Sequence, residues 1–319
     1  MSARAWGWVR FTGAAAVLAA IVWHLGTGPF RDGLRAVDAG VLAAGVAIGV
    51  LTTICCAWRW TVVARGLGVE LSLPAAVAAY YRSIFLNLTL PGGVVGDVHR
   101  GVRHGRDAGD VGRGLRAVAW ERSAAQAVQV VLTVAVLLVA PSPMRGAMPF
   151  VALAVLAVGA GVALAARARP AAGRSRWARL RGAATRELRD GLLAARAWPA
   201  VAVASALVVA GHAATFLIAA RTAGASAPLW QLLPLALIVL AAGVLPNVGG
   251  WGPREGVTAW AFAAAGLGAS RGVSTSVVYG VMVFVATLPG AVVLVVAWAR
   301  RSRSSPWLWL RASGEGADG

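Results

Sequence analysis

The stretch LPGGVVGDVHRG, residues 90–101, breaks an apolar run and decides how the fold is interpreted. It follows AAVAAYYRSIFLNLT, which has the composition of a buried or membrane-embedded helix. Irregular backbone exposed to lipid is excluded from hydrocarbon, so a glycine-rich break at membrane depth must be covered by protein or line a wet cavity. After the break, Asp97 and Arg100 lie one helical turn apart, and the free N–H groups of the helix that begins near Asp97 suit an anion.

Composition places this break in a membrane protein. Hydrophobic residues are 59% of the 319-residue chain, charged residues are 13%, and the mean hydropathy is +0.72. Several apolar runs approach the roughly 20 residues that cross a bilayer as a helix, whereas the strands of a membrane barrel alternate over about 10 residues. We therefore predict an all-α integral membrane protein with a polytopic helical bundle.

The types of reactive residue exclude several functions. All 30 basic residues are arginine, and the formal net charge is +18. A Walker A loop, a Schiff-base lysine and a pyridoxal-phosphate site all require lysine, so we expect no ATP-driven pumping by the chain itself. We also predict that the chain has no cofactor and is not an enzyme. The four histidines lack metal-ligand spacing, and we expect no metal site. The adjacent Cys55 and Cys56 are interpreted as small core residues.

Hydropathy predicts about six full spans and two weaker hairpins. The spans lie near residues 9–25, 38–58, 117–140, 148–166, 198–220 and 275–299. The weaker segments, 75–90 and 229–245, lead into LPGG and LPNVGGWGPREG, and each is followed by a short helical stretch. The first span has some features of a signal peptide, but no A-x-A-like cleavage site follows it, which favours an uncleaved span.

Arginine placement predicts the orientation, because short Arg-rich loops stay in the cytoplasm. The segment 167–197 holds nine arginines, and the N-terminus, the flank at Arg59 and Arg65, residues 100–116 and the tail after Arg300 are basic as well. We therefore predict a multi-pass protein of the cell (cytoplasmic) membrane with both termini in the cytoplasm.

Parity then constrains the two weaker hairpins. Because both flanks of 75–96 are cytoplasmic by charge, this hairpin is predicted to be re-entrant from the inside. The span 198–220 runs outward and 275–299 runs inward, so 229–266 is predicted to be re-entrant from the outside. Two opposed broken hairpins at corresponding places are typical of an inverted repeat, which commonly has a transport site near the midplane.

The predicted domain organisation follows from the repeat. Residues 1–303 form a single transmembrane domain, with halves of about 1–166 and 198–303 joined by the basic cytoplasmic loop 167–197, and 304–319 form a short cytoplasmic tail that is predicted to be disordered. The hairpins share a proline, paired glycines, a further glycine and a charged pair. Their structural hinges are predicted at Pro91, Gly92, Gly93, Gly96, Pro246, Gly249, Gly250 and Gly252.

Charged residues next to the breaks form the candidate site. Glu121 and Arg122 begin an otherwise apolar span, where a charge at the centre of the bilayer costs about 2.5–3.5 kcal/mol on insertion scales. We therefore predict that the charged residues of both hairpins and of this span form ion pairs with one another. The predicted substrate-binding residues are Asn87, Asp97, Arg100, Glu121, Arg122, Arg254 and Glu255. Two roles stay open for this cluster: it holds the hairpins together, or it binds a substrate.

Four pieces of the chain, taken in order, resemble a known family. They are NLTLPGGVVGDVHRG (87–101), AVAWER (117–122), LPNVGGWGPREG (245–256) and a late LPG (288–290). As a set they are similar to the transmembrane region of lysylphosphatidylglycerol synthases, whose membrane domain acts as a lipid flippase, and to its stand-alone relatives. The resemblance extends over nearly the whole chain and implies functional roles for the substrate-binding and most of the hinge residues named above.

Two features qualify what the resemblance implies. Only 16 residues follow Arg303, so it implies the membrane half alone, without the aminoacyltransferase domain of the full-length synthases. The last long span reads STSVVYGVMVF (274–284), with Tyr279 and Gly280 where the resemblance leads us to expect a basic residue. If that charge binds a headgroup in relatives, the substrate of this chain differs.

Three functions remain open at this point. In a lipid translocase for a phospholipid or lipid-linked glycan, the arginines would neutralise phosphate and the carboxylates would hold amines or sugar hydroxyls. A second function is a non-transporting lipid-binding partner that scaffolds a separate lipid or cell-envelope synthase. The third, an enzyme on prenyl-linked substrates, lacks an Asp-rich metal motif. The expected partners are membrane lipids and not nucleic acid, and a homo-oligomer is left open.

Overall fold

The computed structural model describes residues 3–90, 93–140, 144–167, 197–243 and 251–304, and all regular structure in these ranges is helical. The elements in chain order are α1 (Ala3–Leu25), α2 (Gly28–Ala36), α3 (Ala39–Gly66), α4 (Leu73–Thr89), α5 (Val95–Asp107), α6 (Val111–Val139), a 3-10 turn (Arg145–Ala147), α7 (Met148–Arg167), α8 (Trp198–Thr222), α9 (Leu229–Ala242), α10 (Pro253–Ala264) and α11 (Ala269–Ser304). The prediction of an all-α helical bundle is confirmed.

Five helical segments in the described residues are long and apolar enough to cross a membrane. They are Ala39–Gly66, Val111–Val139, Arg145–Leu164, Trp198–Thr222 and Ala269–Arg300. The predicted first span, 9–25, lies in α1, whose apolar part, Ala15–Leu25, is shorter than a full crossing. The total number of spans therefore stays a prediction.

The order of long and short helices occurs twice. In the first half, the long α3 and α6 enclose the short α4 and α5, and in the second half, α8 and α11 enclose α9 and α10. In each half the two short helices are consecutive, and the second of them packs on the long helix that follows it. The halves also exchange contacts, because α4 packs on α11 and α9 packs on α6. The opposed re-entrant orientation of the hairpins and the inverted repeat stay predictions.

The long helices α3, α8 and α11 pack against one another at the centre of the bundle. Aromatic side chains fill the part of this core near the second hairpin, where the ring of Phe216 lies 6.3 Å from that of Phe262 and 5.9 Å from that of Tyr279. A cavity lined by residues of all three helices lies beside this core.

The structure differs from the sequence predictions in three details. The helix α6 begins at Val111 and not near residue 117, so Glu121 and Arg122 lie in its third turn, about 15 Å from its start. The short helix α2 was not predicted, because its nine residues are amphipathic and not apolar throughout. Arg59 was interpreted as part of a cytoplasmic flank, but its side chain is buried in the bundle.

The start of α6 has an ordinary cap. The Asp110 carboxylate accepts a hydrogen bond of 2.9 Å from the backbone N–H of Arg113, and this bond lowers the pKa of the exposed carboxyl group. An aspartate at this position satisfies one of the free N–H groups of the first turn. The chain therefore turns from α5 into α6 within three residues.

The predicted hinges are described only in part. Gly93, with φ of 66°, and Gly252, with φ of 114°, adopt backbone conformations that favour glycine. Gly96 lies against the backbone of Ser83, and a β-carbon there would overlap the Ser83 carbonyl oxygen. Five further predicted hinges, Pro91, Gly92, Pro246, Gly249 and Gly250, lie outside the described residues.

Candidate functional site

A buried carboxylate on α6 is the centre of a polar cluster in the first half of the chain. The side chain of Glu121 is fully buried. Its Oε1 accepts hydrogen bonds from the Arg59 guanidinium, through Nε at 2.9 Å, and from the Tyr80 hydroxyl at 3.0 Å, and its Oε2 accepts one from Arg100 Nη2 at 3.1 Å. Both oxygens of Glu121 are therefore engaged by donors from three other helices.

A second carboxylate joins α4, α5 and α6. Asp97 Oδ1 accepts hydrogen bonds from Ser83 Oγ at 2.9 Å and from Arg100 Nη2 at 3.0 Å. Its Oδ2 accepts one from Asn87 Nδ2 at 3.0 Å and pairs with Arg122 Nη2 at 2.6 Å. Asp97 and Glu121 share Arg100, so these bonds form one network. We call Arg59, Tyr80, Asp97, Arg100, Glu121 and Arg122 the Glu121 cluster.

Arg100 is enclosed by aromatic rings as well as by carboxylates. Its guanidinium carbon lies 4.4 Å from the ring centroid of Trp60 and 4.1 Å from that of Tyr80. Stacking on ring faces compensates an arginine for lost hydration. Because the side chain of Arg100 has no exposed surface, it cannot contact a substrate without breaking the network.

The charges of the Glu121 cluster do not cancel. Its three arginines face two carboxylates, which leaves a formal net charge of +1. The side chains of Arg59 and Arg100 are almost completely buried, whereas 46% of the Arg122 side chain is exposed. The uncompensated positive charge can therefore interact with a ligand or water only at Arg122.

Arg122 lies in the wall of a cavity of about 350 Å³ between α3, α4, α6, α8 and α11. The polar side chains of the wall include Thr52, Thr53, Tyr80, Asn87, His212 and Thr215. Among the described lining residues Arg122 has the only permanent charge, and none is acidic. The cavity volume lies within the range that is typical of small-molecule sites.

The cavity lies beside the middle of α3. On α3 it is lined by Gly45, Gly49, Thr52 and Cys56, whose spacing of three or four residues places them on one helical face. From Gly45 to Cys56 the helix axis advances about 16 Å, roughly half of the hydrocarbon thickness of a bilayer. The part of the cavity wall that α3 provides therefore lies along the middle of this helix and not at its ends.

A smaller polar cluster lies at the start of α10. Glu255 is fully buried; its Oε2 accepts a hydrogen bond of 2.7 Å from the Gly252 N–H, and its Oε1 accepts bonds from Arg254 Nη2 at 2.7 Å and from Ser276 Oγ at 3.0 Å. The Arg254 guanidinium carbon lies 5.4 Å from the Tyr279 ring centroid. We call Gly252, Arg254, Glu255, Ser276 and Tyr279 the Glu255 cluster.

The predicted pairing across the two hairpins is wrong for the described residues. Arg254 pairs with its neighbour Glu255, whereas Arg100 pairs with Asp97 and Glu121, and Arg122 pairs with Asp97. The ion pairs of each cluster stay within its own half. A neutral link connects the cavity wall to the second cluster, because the Tyr279 hydroxyl lies 3.2 Å from His212 Nδ1.

The structure divides the seven predicted binding residues into two groups. Asn87 and Arg122 line the cavity, whereas Asp97, Arg100, Glu121 and Glu255 are buried in ion pairs and Arg254 belongs to the second cluster. Each of the three carboxylates accepts at least three hydrogen bonds or ion pairs from the protein, and the expectation that they hold amines or sugar hydroxyls stays a prediction.

Sequence reasoning missed Arg59 and His212. Arg59 lies seven residues before the end of α3 and pairs with Glu121, which is 62 residues away in the chain. The sequence did contain a signal for this pair: Arg59 lies inside a long apolar helix, where an arginine requires an acidic partner. His212 in α8 has the same isolated position in an apolar span.

The unusual pair Tyr279 and Gly280 has a local explanation. A β-carbon at Gly280 would lie 2.6 Å from Arg254 Nη2. The absent side chain at position 280 and the ring at position 279 together accommodate the guanidinium of Arg254. In this chain a guanidinium from α10 lies beside positions 279 and 280 of the last long span.

A known protein family matches most of the chain. The family model described as "Lysylphosphatidylglycerol synthase TM region" matches residues 7–290. No curated protein matches the chain. The matched range includes α1 through most of α11, and therefore both polar clusters and the cavity.

Proposed function

Since the chain belongs to the family of lysylphosphatidylglycerol synthase TM regions, we propose that it is a lipid translocase that moves a phospholipid or lipid-linked glycan headgroup across the membrane. Membership supports a lipid-related function in a multi-pass membrane protein. The observation that carries the proposal is the half-exposed Arg122 in the wall of a mostly apolar cavity that contains several polar side chains and lies between the two halves of the bundle.

Headgroup movement is limited by desolvation. A charged group at the centre of a bilayer costs at least several kcal/mol by most estimates, whereas acyl chains remain in hydrocarbon throughout. In our proposal the headgroup exchanges water for the guanidinium of Arg122 and for the side-chain oxygens of the cavity wall. This lowers the barrier without a chemical step, so the proposal includes no catalytic residue and no cofactor.

The Glu121 cluster supports this role by holding Arg122. The Asp97 carboxylate binds one guanidinium nitrogen of Arg122, and Asp97 is itself held by Ser83 and Asn87. A pre-organised cation loses little side-chain entropy when a phosphate binds. The buried members of the cluster position Arg122 and do not contact the lipid.

Reconstitution tests the proposal directly. Liposomes that carry a fluorescent lipid in the inner leaflet are prepared with and without purified protein, and exposure of the lipid is measured by chemical quenching from outside. We expect exposure to be faster with the protein and to be lost in Arg122→Gln. The matched control is Arg113→Gln, because Arg113 lies on the same helix, is 45% exposed and also pairs with an aspartate. Equal exposure with wild-type protein and with empty liposomes would reject the translocase.

A lipid-binding scaffold is the alternative outcome of this experiment. The scaffold predicts that lipid co-purifies with the wild-type protein, that Arg122→Gln reduces this retention, and that no lipid crosses the bilayer in either case. Co-purification of a separate lipid or cell-envelope synthase would then identify the partner. Rapid exposure in liposomes that contain only this chain is incompatible with the purely scaffolding function.

The proposal also includes an orientation in the cell membrane, with both termini in the cytoplasm. Single cysteines at the exposed Ala108 and Ser226, in a background that lacks Cys55 and Cys56, report on the turn after α5 and on the turn before α9. We expect an impermeant thiol reagent added to intact cells to label position 226 and not position 108. Labelling of position 108 from outside would overturn the re-entrant hairpins.

A further inference from the structure

We propose that the cavity selects an anionic phosphate headgroup that carries hydroxyl groups, such as phosphoglycerol, and excludes headgroups with a free amine. This inference rests on the proposed function, since it names the substrate class of the same cavity. The proposed headgroup differs from that of lysylphosphatidylglycerol, the aminoacylated lipid for which the family is named. The charges and hydrogen bonds of the cavity wall support this proposal.

The first step concerns charge. The Glu121 cluster has a formal net charge of +1, and its exposed member, Arg122, supplies the only permanent charge among the described lining residues. Residues 91–92 and 244–250, whose positions are not described, contain no acidic or basic side chain in the sequence. A phosphate monoanion would neutralise the excess charge, whereas a headgroup with an added ammonium group would leave it uncompensated.

The second step concerns carboxylates, which are the usual partners of an amine. Both oxygens of Asp97 are occupied, by Ser83 and Arg100 on one side and by Asn87 and Arg122 on the other. Glu121 is fully buried behind them. An ammonium group in the cavity would therefore have to displace an arginine to reach a carboxylate, at the cost of a buried ion pair.

The third step concerns hydroxyl groups. The hydroxyl of Thr52 donates to the Ile48 carbonyl at 2.9 Å, that of Thr215 to the Gly211 carbonyl at 3.0 Å, and the hydroxyl of Tyr80 donates to Glu121. Because their protons are engaged, these oxygens can offer a ligand only lone pairs. They can accept from the O–H groups of a short polyol, whose phosphate accepts from Arg122. Because the same oxygens could also accept from an N–H group, the exclusion of amines rests on charge and not on these hydroxyls.

The fourth step concerns size. A volume of about 350 Å³ holds on the order of 12 water-sized groups. A phosphate with a short polyol fits this space together with a few waters. An aminoacyl extension would add a positive charge beside a wall that has no described acidic group to receive it.

Headgroup competition tests the selectivity. Wild-type protein is reconstituted with fluorescent lipids that share acyl chains and differ only in a phosphoglycerol, a phosphoethanolamine or a lysyl-phosphoglycerol headgroup. We expect the phosphoglycerol lipid to be exposed at least about tenfold faster than either amine-bearing lipid, a ratio that corresponds to about 1.4 kcal/mol. Equal rates, or faster movement of an amine-bearing lipid, would overturn the inference while the translocase function stands.

A binding measurement separates this inference from the proposed function. Short-chain lipids with the same three headgroups are added to the detergent-purified protein, and retention is measured by native mass spectrometry. Preferential retention of the phosphoglycerol lipid without movement in liposomes would support the selective site and reject the translocase. Indiscriminate retention together with indiscriminate movement would reject the selective site alone.

Two variants with matched controls locate the selectivity. Arg122→Glu changes the formal charge of the cluster from +1 to −1, so we expect the preference to shift toward the amine-bearing lipids, whereas Arg113→Glu on the same helix leaves it unchanged. Thr215→Val removes one hydroxyl from the wall and is expected to weaken retention of phosphoglycerol. Thr61→Val is its control, because Thr61 is equally buried, also bonds a helix carbonyl and does not line the cavity. A preference that persists unchanged in Arg122→Glu would overturn the inference.

Discussion

The Glu121 cluster and the Glu255 cluster are two solutions to the same problem, an acid buried beside arginine in an apolar bundle. The first joins five helices through bonds between residues that are far apart in the chain, and its charges leave an excess of +1. The second is local, because Glu255 pairs with its neighbour Arg254 and caps its own helix, and its two charges cancel. Only the first has a half-exposed charge at the cavity.

The difference indicates a division of labour between the halves. A closed, neutral pair at a helix start satisfies its own hydrogen bonds and needs no further partner. An extended cluster with an excess charge couples helix packing to whatever occupies the cavity. We therefore expect substitutions in the first cluster to be the more destabilising ones and substitutions in the second to leave lipid movement intact.

The largest loss of stability is expected for Glu121→Gln. The substitution leaves three arginines against the single carboxylate of Asp97 and raises the formal excess from +1 to +2 in a buried region. Removing one partner of a buried ion pair typically costs about 3–5 kcal/mol. The measurement is thermal or denaturant unfolding of the purified protein in detergent.

A second substitution provides the control for this prediction. Arg59→Met added to Glu121→Gln returns the formal charge to +1 and is expected to recover part of the lost stability. Recovery identifies uncompensated charge as the cause, and its absence would point to lost packing around Glu121. Wild-type stability of Glu121→Gln alone would contradict the view that the cluster holds the helices together.

The second prediction compares a glycine near each cluster. In Gly96→Ala the new β-carbon would overlap the Ser83 carbonyl oxygen, so α4 and α5 must separate, at a cost of about 1–3 kcal/mol. In Gly280→Ala the new β-carbon would meet the tip of the Arg254 side chain, which can move. We expect Gly96→Ala to lower the unfolding temperature more than Gly280→Ala does. The reverse order would show that the second cluster is the more rigid of the two.

The third prediction concerns Glu255→Gln. A glutamine oxygen can still accept from the Gly252 N–H, and Arg254, whose side chain is 14% exposed, retains the ring of Tyr279. We therefore expect a loss of roughly 1–3 kcal/mol, smaller than for Glu121→Gln, and unchanged headgroup preference in liposomes. The exposed Glu70 provides the control variant Glu70→Gln. If Glu255→Gln abolished lipid movement while the protein stayed folded, the Glu255 cluster would be part of the substrate-binding site.

Much of this architecture was predictable because its signals are local. Hydropathy and the glycine-rich breaks predicted both pairs of short helices, and α4, α5, α9 and α10 are found there. The pair of Asp97 and Arg100 was predicted from their spacing of three residues and is present at 3.0 Å. Local composition was sufficient in these cases, since the residues concerned are neighbours in the chain.

The remaining features depend on packing and could not be derived from spacing. The partners of Arg59 and of Ser205 lie 62 and 146 residues away, so neither contact leaves a pattern in a single sequence. The exposure of Arg122 and the burial of Arg100 depend on how five helices meet around the cavity. Sequence could therefore identify the charged residues of the site but could not decide which one contacts a ligand.

The smallest effect is expected for Tyr279→Phe, which removes the neutral link between the two regions. The Tyr279 hydroxyl lies 3.2 Å from His212 Nδ1, and a hydrogen bond of this kind contributes about 0.5–1.5 kcal/mol. His212 lines the cavity, so water can replace the lost hydroxyl, and the cost belongs at the low end of that range. The ring that faces Arg254 is retained, so the second cluster should keep its geometry. Unfolding in detergent measures the stability, and the liposome assay with phosphoglycerol lipid measures the function, for which we expect the wild-type rate. If lipid movement fell sharply while stability held, the Tyr279 hydroxyl would couple the second cluster to the cavity, and the proposed division between the halves would be wrong.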